Sequence, residues 1–413
     1  MKKINLLFLC AALTSTTKAQ VVIDTVSTGA SYANQVWYSL ENDEQGSSPK
    51  NSWELAFETS NQGGSIHINS STSIELWLHP TATVNDFATI DTTGLSTWTK
   101  LYNSNTDWST GAFNQPADTS DDFDMGWGTY SMITHSVVGD RVFIVKLGSS
   151  GYKKMYIESL AGGAYTFKHA NLDNSSEITN SITKSAYNTK NFVYYNLQTN
   201  QIVDREPVSN DWDITFTQNI EFIPSAYLVT TVLHNKKAQS VKVYPVNDPT
   251  TYADWQSQTL SPEINKIGYD WKSFNMVTYQ WEIADSTVYF VQDNDSSIWK
   301  VIFTGFGGGS TGNYIFSKEL LHTVGINEVK TNILLDVYPN PTSDFVVVTF
   351  QANELNTTMN LIDLTGKKVF SKNTSNLSGL VQEKINISEI PSGIYLVTIN
   401  SGNSIRTQKL IIQ

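Results

Sequence analysis

The sequence predicts an all-β protein, and three observations carry that expectation. Short runs of β-branched and aromatic residues alternate with clusters of Gly, Asn, Asp and Ser, at the spacing of strands and turns. No stretch sustains the apolar stripe of an amphipathic helix. One pattern also returns: SWELAF at 52–57 and DWDITF at 211–216 both read Trp, acidic, aliphatic, small, Phe.

The N-terminus reads as a removable leader. Lys2 and Lys3 precede an apolar run from Ile4 to Leu13, and Thr17-Lys18-Ala19 ends in the small residue that a signal peptidase needs. Residues 1–19 are therefore expected to be a signal peptide, with signal peptidase as the first partner and Gln20 as the mature start. Cys10 lies within the apolar run behind bulky Leu9, where a lipid-anchor signal needs a small residue. It is the single cysteine. A mature chain without it has no disulfide, thiolate metal site or cysteine nucleophile. No later segment approaches the roughly 18 apolar residues of a membrane span, so no transmembrane segment is expected in the mature protein.

Charge sets the next limit. The chain carries 27 basic and 39 acidic residues; without Lys2, Lys3 and Lys18 the balance is 24 to 39, a net −15. Such a surface repels phosphate backbones, which excludes nucleic acid as a natural partner. From Lys330 onward there are seven basic and six acidic residues, so the preceding mature body holds a net −16. All 11 tryptophans fall between Trp37 and Trp299. Both breaks place a domain boundary within TVGINEVKTNILL, at a linker spanning 326–333.

The stretches SIELWLHP (73–80), DRVFIVKLG (140–148), STVYFVQD (286–293) and DFVVVTF (344–350) read as strands. Between Leu95 and Met125 apolar runs are scarce, which predicts an excursion with at most short elements. Its acidic residues Asp118, Asp121, Asp122 and Asp124 fit no calcium-loop spacing, and a solvated acidic loop is the expectation.

The Trp echo extends in both directions. VWYSL (36–40) precedes the first copy as VYYNL (193–197) precedes the second, and the segments 139–172 and 284–320 correspond. Val142 to Lys154 and Val288 to Lys300 keep the same spacing, which implies a hairpin of fixed length. Tyr165 and Phe167 match Tyr314 and Phe316 after an insertion in the glycine loop. The repeat predicts two divergent copies of one β module, 20–183 and 184–325. Trp53, Leu55 and Phe57 are expected on one buried face of a strand, with Trp212, Ile214 and Phe216 repeating it.

Trp53 to Phe57 with NQGG following, GSSGYKKMYI, and YTFKHA resemble the HmuY-type haem-binding family of Bacteroidetes, as do Trp212 to Phe216, IGYDWKSF, SSIWKVIF and YIFSKEL in the second copy. The resemblance implies two tandem HmuY-like β modules and haem as the candidate cofactor.

The tail carries a second resemblance. VYPNPTSDFVVVTF (337–350), LIDLTGKKVF (361–370), ISEIPSGIYLVTI (387–399) and QKLIIQ (408–413) are similar to the type A sorting domain of the type IX secretion system. Pro339 and Pro341 fix φ on either side of Asn340 and make a rigid entry to a strand. Gly366 is expected in a hairpin turn, and Gly393 at a positive φ. About seven short strands over 334–413 suit a small immunoglobulin-like β-sandwich. The resemblance implies export to the outer-membrane surface or beyond, with the type IX secretion machinery as partner.

For the body, binding is expected and catalysis is not. Gly308-Gly309-Ser310-Thr311-Gly312 has nucleophile-elbow spacing but lies in a glycine loop between strands, and the first copy reads AGGAY instead. A glycoside-hydrolase carboxylate pair stays open, since such pairs form only in the fold. Glu54 and Asp213, equivalent in the copies, are expected to serve strand ends or surface. If haem binds, imidazole is the usual axial ligand. His135 aligns with Trp281 counting back from Val142 and Val288. His169 aligns with Lys318, which suggests exposure. His79 and His234 follow their Trp strands at similar distances, in WLHP and VLHN. His79, His234 and His135 are the haem candidates. The competing class is a carbohydrate- or surface-ligand-binding module, with Trp77 as platform on the face opposite Ile74, Leu76 and Leu78. A structural or adhesive role without a small ligand is the third.

Overall fold

A computed structural model describes residues 20–323, 335–352, 356–375, 379–401 and 404–413. The signal peptide (1–19) and the linker (326–333) lie outside the described residues. With 52% strand against 7% helix, the class is all-β. The chain divides into two compact units, Met1–Val324 and Gly325–Gln413.

The first unit holds two sandwiches built on one plan. In the first, the strands Ile178–Thr183, Ala164–Asn171, Tyr152–Ala161, Arg141–Leu147, Ile74–Thr83 and Lys100–Leu101 form a sheet, in that order, with the hairpin Gly128–Ser131/Ser136–Gly139 attached to Tyr152–Ala161. It faces a sheet of Gln201–Val203, Phe192–Asn196, Leu55–Glu58 and Ile66–Ile68. Leu55, Phe57, Phe143, Ile157, Phe167 and Tyr195 fill the space between. In the second, Val22–Ser27, Asn313–His322, Ile298–Phe306, Val288–Gln292 and Gln239–Val243 face Ala226–His234, Ile214–Phe222, Asn34–Ser39 and Asp43–Pro49. Tyr38, Ile214, Phe216, Tyr289, Val301 and Phe316 fill that core. Between Leu95 and Met125 there are two single-turn helices, Leu95–Thr97 and Ala112–Asn114, and the two-residue strand.

The repeat is visible as register. Phe143 faces Met155 as Tyr289 faces Val301, and the ladders onward from them slip at the same place, after Ile157 and after Phe303. The two leading strands, however, are exchanged. VWYSL pairs with the second Trp strand, Tyr38 opposite Ile214 and Val36 opposite Phe216. VYYNL pairs with the first, Tyr195 opposite Leu55 and Val193 opposite Phe57. Each sandwich is thus completed by the strand that, along the chain, precedes the other copy.

Polar side chains lock that exchange identically on both sides. Glu54 accepts from the Leu197 amide at 2.7 Å, and Asp213 from the Leu40 amide at 2.8 Å. The two acidic residues therefore cap strand ends, and burial raises both, Asp213 to about 6. Asn69 Nδ2 donates to the carbonyls of Lys50 (2.6 Å) and Trp53 (2.9 Å). Asn235 Nδ2 repeats this with Ser209 (2.7 Å) and Trp212 (2.6 Å).

Leu55 and Phe57 lie in the first core, but Trp53 does not share their face. The strand begins at Leu55, so its alternation does not reach back to Trp53, which packs on the outer side against Tyr194 at 4.9 Å. Trp53 and Trp212 both line a small cavity of ≈70 Å³ at the seam where the four-stranded sheets meet. There the Arg205 guanidinium lies over Trp37 (5.0 Å), Trp53 (5.6 Å) and Tyr194 (5.1 Å). It donates to Gln35 Oε1 at 2.8 Å and to the carbonyls of Ser48 and Pro49 at 3.3 and 3.2 Å. Next to it, Glu206 accepts from the Phe192 amide (3.1 Å) and the Tyr194 hydroxyl (3.0 Å), and burial pushes its carboxyl up to about 7.

The second unit is a β-sandwich with seven strands among the described residues. Leu335–Tyr338, Phe345–Ala352 and Gly379–Asn386 form one sheet; Lys368–Ser375, Asn356–Asp363, Gly393–Ser401 and Ser404–Ile412 form the other. Val346, Val348, Leu361, Ile385, Val397 and Leu410 pack between them. Gly366 has φ +87° in the hairpin turn, where its amide donates to the Asp363 carbonyl at 3.0 Å. Gly393 differs from expectation. It is not among the positive-φ residues but opens a strand opposite Ile412, where a Cβ would meet the Tyr395 ring at 3.4 Å.

Candidate functional site

The three candidate histidines sit on separate elements. His79, on Ile74–Thr83, spends both ring nitrogens on backbone: Nε2 lies 3.1 Å from the Asp91 carbonyl, and Nδ1 accepts from the Ala82 amide at 2.9 Å. His234 is fully buried at the end of Ala226–His234, with Nδ1 2.8 Å from the Asn235 carbonyl, and burial lowers its pKa. It stands opposite Ile214 as Ile68 stands opposite Leu55. His234 therefore occupies a position filled by isoleucine in the first copy and does not correspond to His79. His169, expected to be exposed, is also fully buried, beside Tyr195 at 6.1 Å. Its counterpart Lys318 is buried over the Tyr38 ring at 4.8 Å and paired with Asp43, which is how that site tolerates a charge.

Of these histidines, His135 reaches a ligand-sized space. It lies in the exposed turn between Gly128–Ser131 and Ser136–Gly139, with Nδ1 3.0 Å from the Tyr130 hydroxyl. Among the described residues its Nε2 makes no hydrogen bond. Together with Tyr130 it lines a cleft of ≈540 Å³ at one end of the first sandwich. Phe123, Met125, Val137 and Leu160 give the cleft an apolar wall, and Gly162 and Gly163 leave its edge open. Lys184 lies at the rim, buried, its ammonium donating to the Gly63 carbonyl at 2.7 Å; burial lowers its pKa.

The second copy shows why this space exists. Its hairpin Lys272–Asn275/Gln280–Ile283 matches Gly128–Ser131/Ser136–Gly139, each with a four-residue tip. This register places Val137 against Trp281, and His135 against Tyr279; counting back from Val142 and Val288 misses the correspondence because the following turn is two residues longer in the second copy. Leu160 corresponds to Phe306, three residues beyond the paired Ile157 and Phe303. Trp281 and Phe306 pack edge to face at 4.9 Å, and Tyr32 stacks on Phe306 at 6.1 Å. Large rings thus fill in the second sandwich what Val137 and Leu160 leave open in the first.

Other predicted features resolve into structure. Trp77 does face away from Leu76 and Leu78, but it is 5% exposed, under Tyr152 (6.3 Å) and Lys100 (5.6 Å), so it offers no platform. In the acidic loop, burial raises the pKa of Asp124, but the Arg141 guanidinium, donating at 2.7 and 2.8 Å, holds it at about 2. No cluster of three metal-ligating side chains occurs among the described residues. Ser310 lies in a one-turn helix, Gly308–Thr311, and its Oγ donates to the Gly307 carbonyl at 2.7 Å. No helix among the described residues is long and apolar enough to cross a membrane.

In the tail, Asn340 ties the proline-flanked entry to the last strand. Its Oδ1 accepts from the Ile411 amide at 2.9 Å and its Nδ2 donates to the Lys409 carbonyl at 2.7 Å. Pro339 and Pro341 flank this side chain where it meets Ser404–Ile412.

No curated protein sequence matches the chain. Three solved structures are distantly similar. PorZ, a bacterial surface component of the type IX secretion system of Porphyromonas gingivalis, is 9% identical, with 69% of this chain and 44% of that one covered and a TM-score of 0.15. Dimeric latent PorU of the same organism is 10% identical over 94% and 34%, TM-score 0.16. A BSP domain of a biofilm-associated protein is 10% identical over 96% and 82%, TM-score 0.17. The chain spans less than half the length of the first two. Likeness at this level fixes neither fold nor function. The family model for the secretion system C-terminal sorting domain matches residues 336–413. The second unit is thus a C-terminal sorting domain, and the chain is exported by type IX secretion to the cell surface or the extracellular space.

Proposed function

We propose that the body is a non-enzymatic binding protein whose first sandwich holds an apolar, flat small molecule in the cleft beside His135. The observation that carries this is the contrast between copies: one plan, with the cleft open at Val137 and Leu160 and filled where Trp281 and Phe306 replace them. A space of ≈540 Å³ is of ligand size, since small-molecule sites run about 300 to 1,000 Å³; Asn61, Gln62, Asp122 and Lys184 line it beside the apolar residues. Haem, the ligand named by the resemblance of both modules to the HmuY type, fits this chemistry. A bound haem would supply an iron that an imidazole can ligate. His135 would hold it through Nε2, the Tyr130 hydroxyl would orient the ring, and Phe123, Met125 and Leu160 would shield its faces from water. A carbohydrate has no exposed platform at Trp77.

Haem titrated into the mature protein should produce a shifted Soret band. His135→Ala should change the band, and Val137→Trp, which copies the second module, should weaken binding at least tenfold. A band unaffected by both variants, or no shift in the parent, would sink this reading and leave an adhesive role.

A further inference from the structure

The two matching hairpins end in tips that belong to neither core. Residues 132–135 read Met-Ile-Thr-His and residues 276–279 read Met-Val-Thr-Tyr. Met132 and Ile133 are 66% and 93% exposed, Met276 and Val277 72% and 86%. The tips are shaped alike. The Thr134 amide donates to Ser131 Oγ at 3.3 Å, and the Thr278 amide to Asn275 Oδ1 at 3.1 Å. His135 and Tyr279 then turn the chain at φ +50° and +55°, which is uncommon outside glycine. Core packing does not account for two adjacent apolar side chains that stand mostly in water in both copies. Exposed apolar groups kept without a core role mark an interaction surface.

We propose that these tips dock the protein on a neutral lipid surface, each inserting its Met and β-branched residue below the headgroups. The substitutions between the copies decide the partner. Ile becomes Val and His becomes Tyr, so apolar character and a ring are kept while shape is not. A protein pocket reads shape; a bilayer reads hydrophobicity, and rings such as that of Tyr279 settle at its headgroup level. Neither tip contains a charged residue, and the mature body carries a net −16, which repels anionic headgroups and favours zwitterionic ones. Export delivers the chain to the cell surface or the extracellular space.

The test is flotation of the mature full-length protein with phosphatidylcholine vesicles, without haem. The parent should float, should do so less with phosphatidylglycerol added, and should not lose binding as salt is raised from ~0.1 to ~0.5 M, because screening weakens only charge-driven binding. Met132→Ser with Ile133→Ser, or Met276→Ser with Val277→Ser, should each weaken flotation severalfold. All four together should weaken it about tenfold or more, with an unchanged thermal melt. A parent that does not float, or a fourfold variant that floats as well as the parent, overturns the proposal. A parent that is dimeric by light scattering and becomes monomeric in the variant, without vesicle binding, overturns it in favour of a second copy. Haem titration of the same variant separates this result from the cleft, whose lining includes none of the four residues.

Discussion

Glu206 is held where a carboxylate is costly: buried, adjacent to Arg205, with Tyr194 and two amides as donors. Its pKa in the folded chain, about 7, lies above the ordinary value of 4.5. Between those values the folded state binds more protons than the unfolded one, so stability falls as pH rises through that window. The full shift corresponds to roughly 3 kcal/mol, and Asp213, raised to about 6, acts in the same direction below that pH. Buried His67, His169 and His234, whose pKa values burial lowers, act in the opposite sense as pH falls, so the Glu206 contribution is read as a difference: Glu206→Gln should gain on the parent by several degrees in melting temperature between pH 5.5 and pH 8. A parent-to-variant difference that does not change with pH would contradict the assignment. Asn69→Ala should cost about 2 kcal/mol in denaturant unfolding, since the buried carbonyls of Lys50 and Trp53 lose their donor. At this scale sequence is a poor guide. His79 and His234 stand at similar distances from their tryptophans, yet the true counterpart of His234 is Ile68, because loop lengths differ between copies and distance along the chain is not register.

Strands and hairpins were more legible than residues. The constant spacing from Val142 to Lys154 and from Val288 to Lys300 is the hairpin of shared register, since a strand pair with a fixed turn cannot slip without moving its apolar face. The cleft was not legible, because it depends on which side chains of different elements converge: Val137 and Leu160 are ordinary apolar residues until Trp281 and Phe306 are seen in their places. Nor was the exchange of leading strands. Alternation tells which residues of VWYSL and VYYNL face a core, and either Trp strand could pair with them. Tyr38 and Val36 have 0% exposure inside the second core, so removing residues 20–49 should open the second sandwich first. Limited proteolysis of that truncation should cut within 204–322 before 53–203; the reverse order would contradict the pairing.

For the whole molecule, the boundary before the tail was the most legible feature, because charge and tryptophan counts are sums that need no contact information. The sorting domain was legible for a different reason: PNP, TGKK and PSGIY are local patterns, each read within a few residues of sequence. Deleting residues 330–413 should leave the protein in the periplasm, as followed by fractionation and immunoblotting; normal delivery of the truncation to the surface or medium would contradict the assignment. Type IX cargo identity thus reads from sequence, whereas the cleft reads only from the fold. The exchanged strands have one more consequence. Val22–Ser27 lies beside Asn313–His322, so the two ends of the body are neighbours, and the chain behaves as a closed loop cut at an inconvenient place. A circular permutant that joins those ends and starts near residue 51 would hold each sandwich in one continuous stretch. It should refold faster than the natural order, in which the first strand made must wait for the last sheet.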